Sequence, residues 1–297
     1  MLMDMALLKA VSRSFYLSMV WLPPAMRRGI ALGYMLARAT DSVADTSSAA
    51  PGRRVEVLRR MGQAIAGELT GADEQQLLDA LRGEMAAAQA KASEAELLRR
   101  FDECLELLMQ VTPREQELLR RVLATIVEGQ LWDLLYFEQH QAVETDAETR
   151  LYTYQVAGCV GEFWTELGLA TMGESFCEPA RRELMTQAGI RYGQGLQLVN
   201  ILRDREEDAA RGRAYLCSDP LVWQGRAARY LADGLDYARR LGRFRLRFTA
   251  MLPALLGLET LRLMAQRAGN ERVKIPRRTV YACMVRAAWL SVKRRAS

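Results

Sequence analysis

Two pairs of carboxylates stand at helical spacing in this sequence. The first is Asp41 and Asp45 in LGYMLARATDSVADTSS; the second is Asp204 and Asp208 in QLVNILRDREEDAARGRAY, with Glu207 beside it. On a helix, positions i and i+4 share a face with their Cβ atoms about 6 Å apart, so both members of a pair can address one ligand. Like charges at that spacing cost an isolated helix about 0.2–0.5 kcal/mol, which calls for a neutralising partner, either a nearby arginine or a cation. Either pair alone reads first as a solvated, salt-bridged face. Both, however, follow apolar turns, Gly33 to Leu36 before the first and Leu196 to Leu202 before the second. Carboxylates at the mouth of an apolar cavity suit a hard cation such as Mg²⁺, which takes oxygen ligands and is often shared with phosphate oxygens. Together the pairs point to a metal-bridged diphosphate whose hydrocarbon tail lies in the cavity.

The elements that position these groups read as helices throughout. Of 297 residues 50% are hydrophobic and only 8 are proline, with Ala, Leu, Arg, Glu and Met abundant. Those types lose least on entering a helix, so an all-α fold is expected. A first helix spans about 4–20, and a second starts at Pro23-Pro24 and runs to Asp41. Ser47 to Gly52 breaks the pattern. Further helices are predicted over about 53–70, 73–91, 94–111 and 114–140, the last starting from a Thr112 cap with Pro113 in its first turn. Gln141 to Glu148 is a polar connection. In the helix that follows, Gly158 and Gly161 suggest close packing or a bend. A run over about 178–210 ends in the second acidic cluster, Asp219-Pro220 opens helices over about 220–241 and 244–268, and a final helix follows Pro276. With no repeat, linker or composition shift, one domain over residues 1–297 is expected.

Charge and cysteines narrow the classes. Cys104, Cys159, Cys177, Cys217 and Cys283 are scattered and odd in number, which argues for a reducing compartment and against a disulfide framework or zinc site. No signal peptide and no apolar window of about 20 residues is evident, so a cytoplasmic protein that does not cross a membrane is expected. The net charge is +5. Its aromatics are not interleaved with a basic patch, so no nucleic acid is expected, and no protein partner is evident. The single histidine, His140, reads as structural. Val280 to Arg295 mixes apolar and basic residues; a packed final helix is expected there, with peripheral contact on the inner face of the membrane as the alternative.

Four segments, taken in order, resemble the signatures of squalene and phytoene synthases. They are Ser12-Arg13-Ser14-Phe15, Tyr34 to Asp45, Tyr152 to Gly161 and Gln197 to Asp208, and the resemblance spans about residues 8 to 290. It implies the all-helical isoprenoid-synthase fold, a single-domain bundle around a central apolar cavity, and head-to-head joining of two farnesyl diphosphates through presqualene diphosphate. By the same resemblance Asp41, Asp45, Asp204, Glu207 and Asp208 bind Mg²⁺ and diphosphate. Arg13, Arg38 and Arg203 contact diphosphate, alongside Ser12, Ser14, Phe15, Tyr34, Gln197 and Asn200 in the substrate site. Tyr152 matches the family's candidate base; because phenols are weak bases, the released diphosphate is expected to take the proton by relay.

Squalene formation also needs a hydride from NADPH. Arg272-Val273-Lys274-Ile275 resembles the Val-Lys-Ile segment of squalene synthases, which makes Lys274 and Arg277 candidate nucleotide contacts; Asn200 and Arg213 match positions associated with the reductive step. Pro276 after that segment departs from the pattern, as does the missing C-terminal anchor of the eukaryotic enzymes. A squalene synthase is therefore the leading expectation. A dehydrosqualene, phytoene or hydroxysqualene synthase is the close alternative, a class I terpene cyclase leaves the tyrosine and Val-Ala-Gly segment unexplained, and a non-catalytic helical assembly factor is remote.

Overall fold

The computed structural model describes residues 4–12, 15–266 and 273–292, with the side chains of Phe15 and Leu17 excepted. Its first helices are α1 (Met5–Ser12), α2 (Phe15–Trp21), α3 (Pro24–Ala44), α4 (Pro51–Ala66), α5 (Ala72–Ala80), α6 (Ala92–Arg99), α7 (Phe101–Met109) and α8 (Pro113–Tyr136). These are followed by α9 (Asp146–Thr153), α10 (Cys159–Met172), α11 (Arg182–Ala210), α12 (Pro220–Arg240), α13 (Phe244–Gln266) and α14 (Arg277–Val292). One turn after α5 (Leu81–Met85) and one after α9 (Tyr154–Gly158) are π-helical. The all-α expectation holds. The helices gather into two compact units, residues 1–20 with 24–136, and residues 21–23 with 137–297. No composition shift marks the boundary, which falls where α8 ends.

Local signals set many of the ends. Thr112 and Glu115 cap α8 reciprocally, the Glu115 amide donating to Thr112 Oγ1 at 3.3 Å and the Thr112 amide to Glu115 Oε2 at 3.0 Å, with Pro113 in the first turn. Thr145 and Glu148 form the same box before α9. Asp219 caps α12 by accepting from the Leu221 amide at 2.9 Å. Gly67 closes α4 at φ 82°, a left-handed conformation that only glycine adopts without strain. The predicted 94–111 helix is instead broken at Arg100 (φ −107°, ψ 25°), whose guanidinium is held by Glu103 and Asp4. The predicted 114–140 helix stops at Tyr136.

In the first unit α3 packs on α4, α7 and α8. Its Leu32, Leu36, Ala39 and Val43 are wholly buried, each leucine or valine contributing roughly 1.5–3 kcal/mol by leaving water. In the second unit α11 lies at the centre against α10, α12 and α13. Small residues allow backbones to meet there. A Cβ on Gly161 of α10 would stand 1.9 Å from the Gly189 carbonyl oxygen of α11, and one on Gly193 would stand 2.2 Å from that of Ala157. The close packing expected at Gly158 and Gly161 is thus a helix-on-helix seam, and the turn that carries Gly158 is π-helical. Helix α13 alone among the described residues is long and apolar enough to cross a membrane, a window the sequence reading did not flag; half of that window is buried against α11, α12 and α14.

Candidate active site

The Asp41–Asp45 pair ends α3, and the first unit fastens that end from several sides. Ser42 Oγ and Thr46 Oγ1 donate back to the Arg38 and Ser42 carbonyls at 2.8 and 2.5 Å. Gln89 Nε2 donates to Thr46 Oγ1 at 2.6 Å, and Arg54 donates to the Ala44 carbonyl at 2.8 Å. The Thr46 and Arg54 bonds reach the Ser42 and Ala44 carbonyls, which lie in the last turn where a helix leaves carbonyls without partners, and the Arg54 cation suits the negative end of the dipole. Tyr34, two turns earlier, donates its hydroxyl to the Val11 carbonyl of α1 at 3.2 Å. Ser12 is buried and donates to Leu8 O at 2.5 Å.

Arg38 is the centre of this end. Its guanidinium forks between Asp41 and the buried Glu94 of α6, and Lys91 reaches Glu94 at 2.8 Å. Burial alone would raise the Glu94 carboxyl, but the hydrogen bonds from Lys91 and Arg38 hold it below the usual range. Asp41 goes the other way. Burial first, then the charge of Asp45, pushes its carboxyl up to about 7 against the pull of Arg38, while 39% of its side chain stays open to an incoming ligand. A group so placed gains from a cation, which would relieve both causes. Asp45 is exposed. Glu94, Lys91, Gln89 and Arg54 were not foreseen from sequence.

The Asp204–Asp208 pair ends α11 in the second unit. Arg203 grips its own neighbour, Nε to Asp204 Oδ1 at 2.9 Å and a terminal nitrogen to Oδ2 at 2.6 Å, and this bond raises the Arg203 pKa despite burial. Arg211 reaches Glu207 at 2.8 Å in a largely exposed pair. Gln197 and Asn200 lie on the same helix, one half-buried and one exposed.

Beyond Asp208 the chain turns through Gly212 (φ 75°). The Arg213 amide returns to the Asp208 carbonyl at 2.9 Å, and Ala214 then pairs with residues 141–143 through bonds of 2.9 Å. This turn delivers Tyr215 to Tyr152 of α9: the rings stack at 4.8 Å and 13°, and Phe137 meets Tyr215 edge-on at 5.1 Å. Thr149 of α9 donates to the Tyr215 carbonyl at 2.7 Å. Tyr152 is therefore tied, through one short connection, to the end of the helix that bears Asp204 and Asp208.

Several expected residues are not joined to either cluster. Arg13, Ser14 and Arg272 lie outside the described residues, as does the side chain of Phe15. Lys274, ahead of α14, and Arg277, its first residue, are exposed. All five cysteines are free. No group of three metal-ligating side chains converges among the described residues. The donor sets are instead carboxylate pairs, which fit an ion that keeps waters and shares phosphate oxygens rather than one caged by protein.

Residues 8–225 match the squalene/phytoene synthase family. The chain belongs to that family. It is 30% identical over 227 residues to a 15-cis-phytoene synthase of Synechocystis, covering 76% of this chain and 58% of that one. It is 26% identical over 237 residues to squalene synthase BSS of Botryococcus braunii, covering 79% and 46%. A bifunctional lycopene cyclase/phytoene synthase of Phaeosphaeria nodorum is 30% identical over 217 residues, 73% of this chain and 33% of that one. The chain thus spans between a third and three-fifths of these relatives. Among solved structures, TcSQS in complex with E5700 superposes with a TM-score of 0.75 at 20% identity, over 97% of this chain and 86% of that one. A dehydrosqualene synthase in complex with a ligand gives 0.65 at 18%, over 97% and 95%. The fold is the helical isoprenoid-synthase fold.

Proposed function

We propose that this chain condenses two farnesyl diphosphates head to head into presqualene diphosphate and reduces that intermediate with NADPH to squalene. The reading is supported most by the pairing of each acidic helix end with a guanidinium already bonded to its first aspartate, Arg38 on Asp41 and Arg203 on Asp204. A planar guanidinium suits phosphate oxygens as well as carboxylate, so each can pass from aspartate to diphosphate when substrate arrives.

Asp41, Asp45, Asp204, Glu207 and Asp208 would hold Mg²⁺, and when bound the ion neutralises charge on the departing diphosphate. Arg38 in the first unit and Arg203 in the second would each offer a guanidinium to diphosphate as an allylic carbon–oxygen bond breaks. The double bond of the second substrate attacks the resulting cation, and closing the cyclopropane ring expels a proton. Tyr152, fixed by its stack on Tyr215, hands the proton on to the released diphosphate, which is the stronger base. Arg213, Lys274, Arg277 and Asn200 are the candidate NADPH contacts. The three cations fit the nucleotide's phosphates in charge and the Asn200 amide could only hydrogen-bond, with no Gly-rich cradle.

A second reading ends the reaction without hydride, as dehydrosqualene, phytoene or hydroxysqualene. Relatives named phytoene synthase at 30% identity favour it. Incubation of the purified protein with farnesyl diphosphate and Mg²⁺, with and without NADPH, followed by mass spectrometry of the extracted hydrocarbon, separates the two. Squalene appearing only with NADPH supports the first reading. Dehydrosqualene or hydroxysqualene in both arms replaces it with the second, and absence of any condensed product from farnesyl or geranylgeranyl diphosphate overturns both.

A further inference from the structure

Helix α14 is built the wrong way round for a core helix. The residues it buries are small, Cys283, Ala287 and Ser291, while Tyr281, Val285, Trp289 and Val292 are 65%, 70%, 58% and 71% exposed. At about 100° per residue the four exposed side chains fall within an arc of about 80°, opposite the buried three. The small face seats the helix on α13. The buried Arg247 donates to the Ser291 carbonyl at 2.8 Å and to the Leu241 and Gly242 carbonyls at 2.8 and 3.1 Å, locking the end of α14 in place. The outward stripe is therefore held rigidly in view. Trp21 and Phe244, 46% and 38% exposed, flank Phe248 near the same end of α13.

Charge tells what would cover it. Residues 273–297 carry seven Lys and Arg and no Asp or Glu, a charge of +7, so the other 272 residues together carry −2. The basic character of the whole chain is concentrated in this segment. Arg277, Arg278 and Arg286 are exposed on α14 itself, and Lys293, Arg294 and Arg295 follow it in sequence. An apolar protein partner would desolvate these cations at a cost, whereas an anionic bilayer takes both features at once: aromatic and aliphatic side chains enter the headgroup boundary and the cations meet lipid phosphates.

We infer that the Tyr281–Val285–Trp289–Val292 face of α14 is a docking surface for an anionic phospholipid bilayer. The inference stands on α14 and the apolar and basic residues around it, and does not require the reaction proposed above. In vesicle flotation the full chain should bind phosphatidylcholine containing roughly one-third phosphatidylglycerol and not phosphatidylcholine alone, and the binding should weaken with salt. The double variant Val285→Ser/Trp289→Ser and the variant Arg286→Glu should each bind about tenfold more weakly, with thermal melting and turnover of farnesyl diphosphate in detergent unchanged. Failure to bind anionic vesicles, or equal binding by both variants, overturns the inference. So does light scattering that shows a dimer which the double variant dissociates, because the stripe would then be covered by a second copy. Salt-sensitive binding to nucleic acid in place of vesicles would overturn it as well.

Discussion

The two acidic helix ends look alike in sequence and are built differently. At the end of α3, Asp41 shares one guanidinium with Glu94, a residue 56 positions away in Arg38's reach, and the helix end is tied by Gln89 and Arg54. At the end of α11, Arg203 is bonded to the adjacent Asp204 and Arg211 to Glu207 one turn back. The first cluster is assembled by tertiary structure; the second is assembled by its own helix. The first should therefore be preorganised and costly to disturb from a distance, and the second locally robust and sensitive only to its own residues.

The heaviest blow to either end is loss of a charge that faces the ligand. Asp41→Asn and Asp204→Asn should each lower turnover by roughly 10³-fold with the fold intact by circular dichroism; near-parental turnover in either would remove that end from the site. Next comes Tyr152→Phe, for which formation of presqualene diphosphate should fall roughly 10²-fold. An unchanged rate would leave the diphosphate, or another group, as the base.

The comparison is sharpened by remote partners. Glu94→Gln takes a buried charge from between Lys91 and Arg38 and should cost about 1–3 kcal/mol of stability while raising KM for farnesyl diphosphate. Arg211→Gln removes an exposed pair and should cost under about 0.5 kcal/mol. If the two variants melt alike, the distinction between the ends is wrong.

A last test of the first end concerns pH. In the metal-free protein the Asp41 carboxyl sits at about 7, above its ordinary 3.8. The folded state thus holds this proton more tightly than the unfolded chain, and the corresponding stability is complete below the ordinary value and lost as pH rises through about 7. With chelator present, melting temperatures taken from about pH 5 to about pH 8 should fall more for the parent than for Asp41→Asn. Parallel curves would mean that Asp41 is not perturbed in this way.

How much of this could be read from the residues alone follows the same division. Both aspartate pairs were legible because their members sit one helical turn apart, and helix starts at Thr112-Pro113 and Asp219-Pro220 were legible because capping chemistry is local. Glu94, Gln89 and Arg54 were not, since an acid, amide or guanidinium on one helix carries no mark of the distant helix it will face. The break at Arg100 contains neither glycine nor proline; ion pairs to Asp4 and Glu103 accompany it, and one of those partners is 96 positions away. Helix α14 was expected as a packed helix, and it is packed by one face. Its apolar content gave the helix, whereas which face would turn outward depended on the small residues that fit α13.

The π turn at Tyr154–Gly158 takes one residue more than an α turn would. One extra residue advances the helix by about 100° of phase, so Tyr152 and Gly161 occupy faces that a continuous α-helix could not give them together. Gly161 must meet Gly189 and Tyr152 must meet Tyr215, and the added residue reconciles the two demands. Deleting any one residue from 154–158 would let the helix heal into regular geometry, and in healing it would swing the tyrosine away from its partner. The turn works as a phase insert between the face that carries Tyr152 and the face that packs on α11, and its length is fixed by geometry even where its side chains are not.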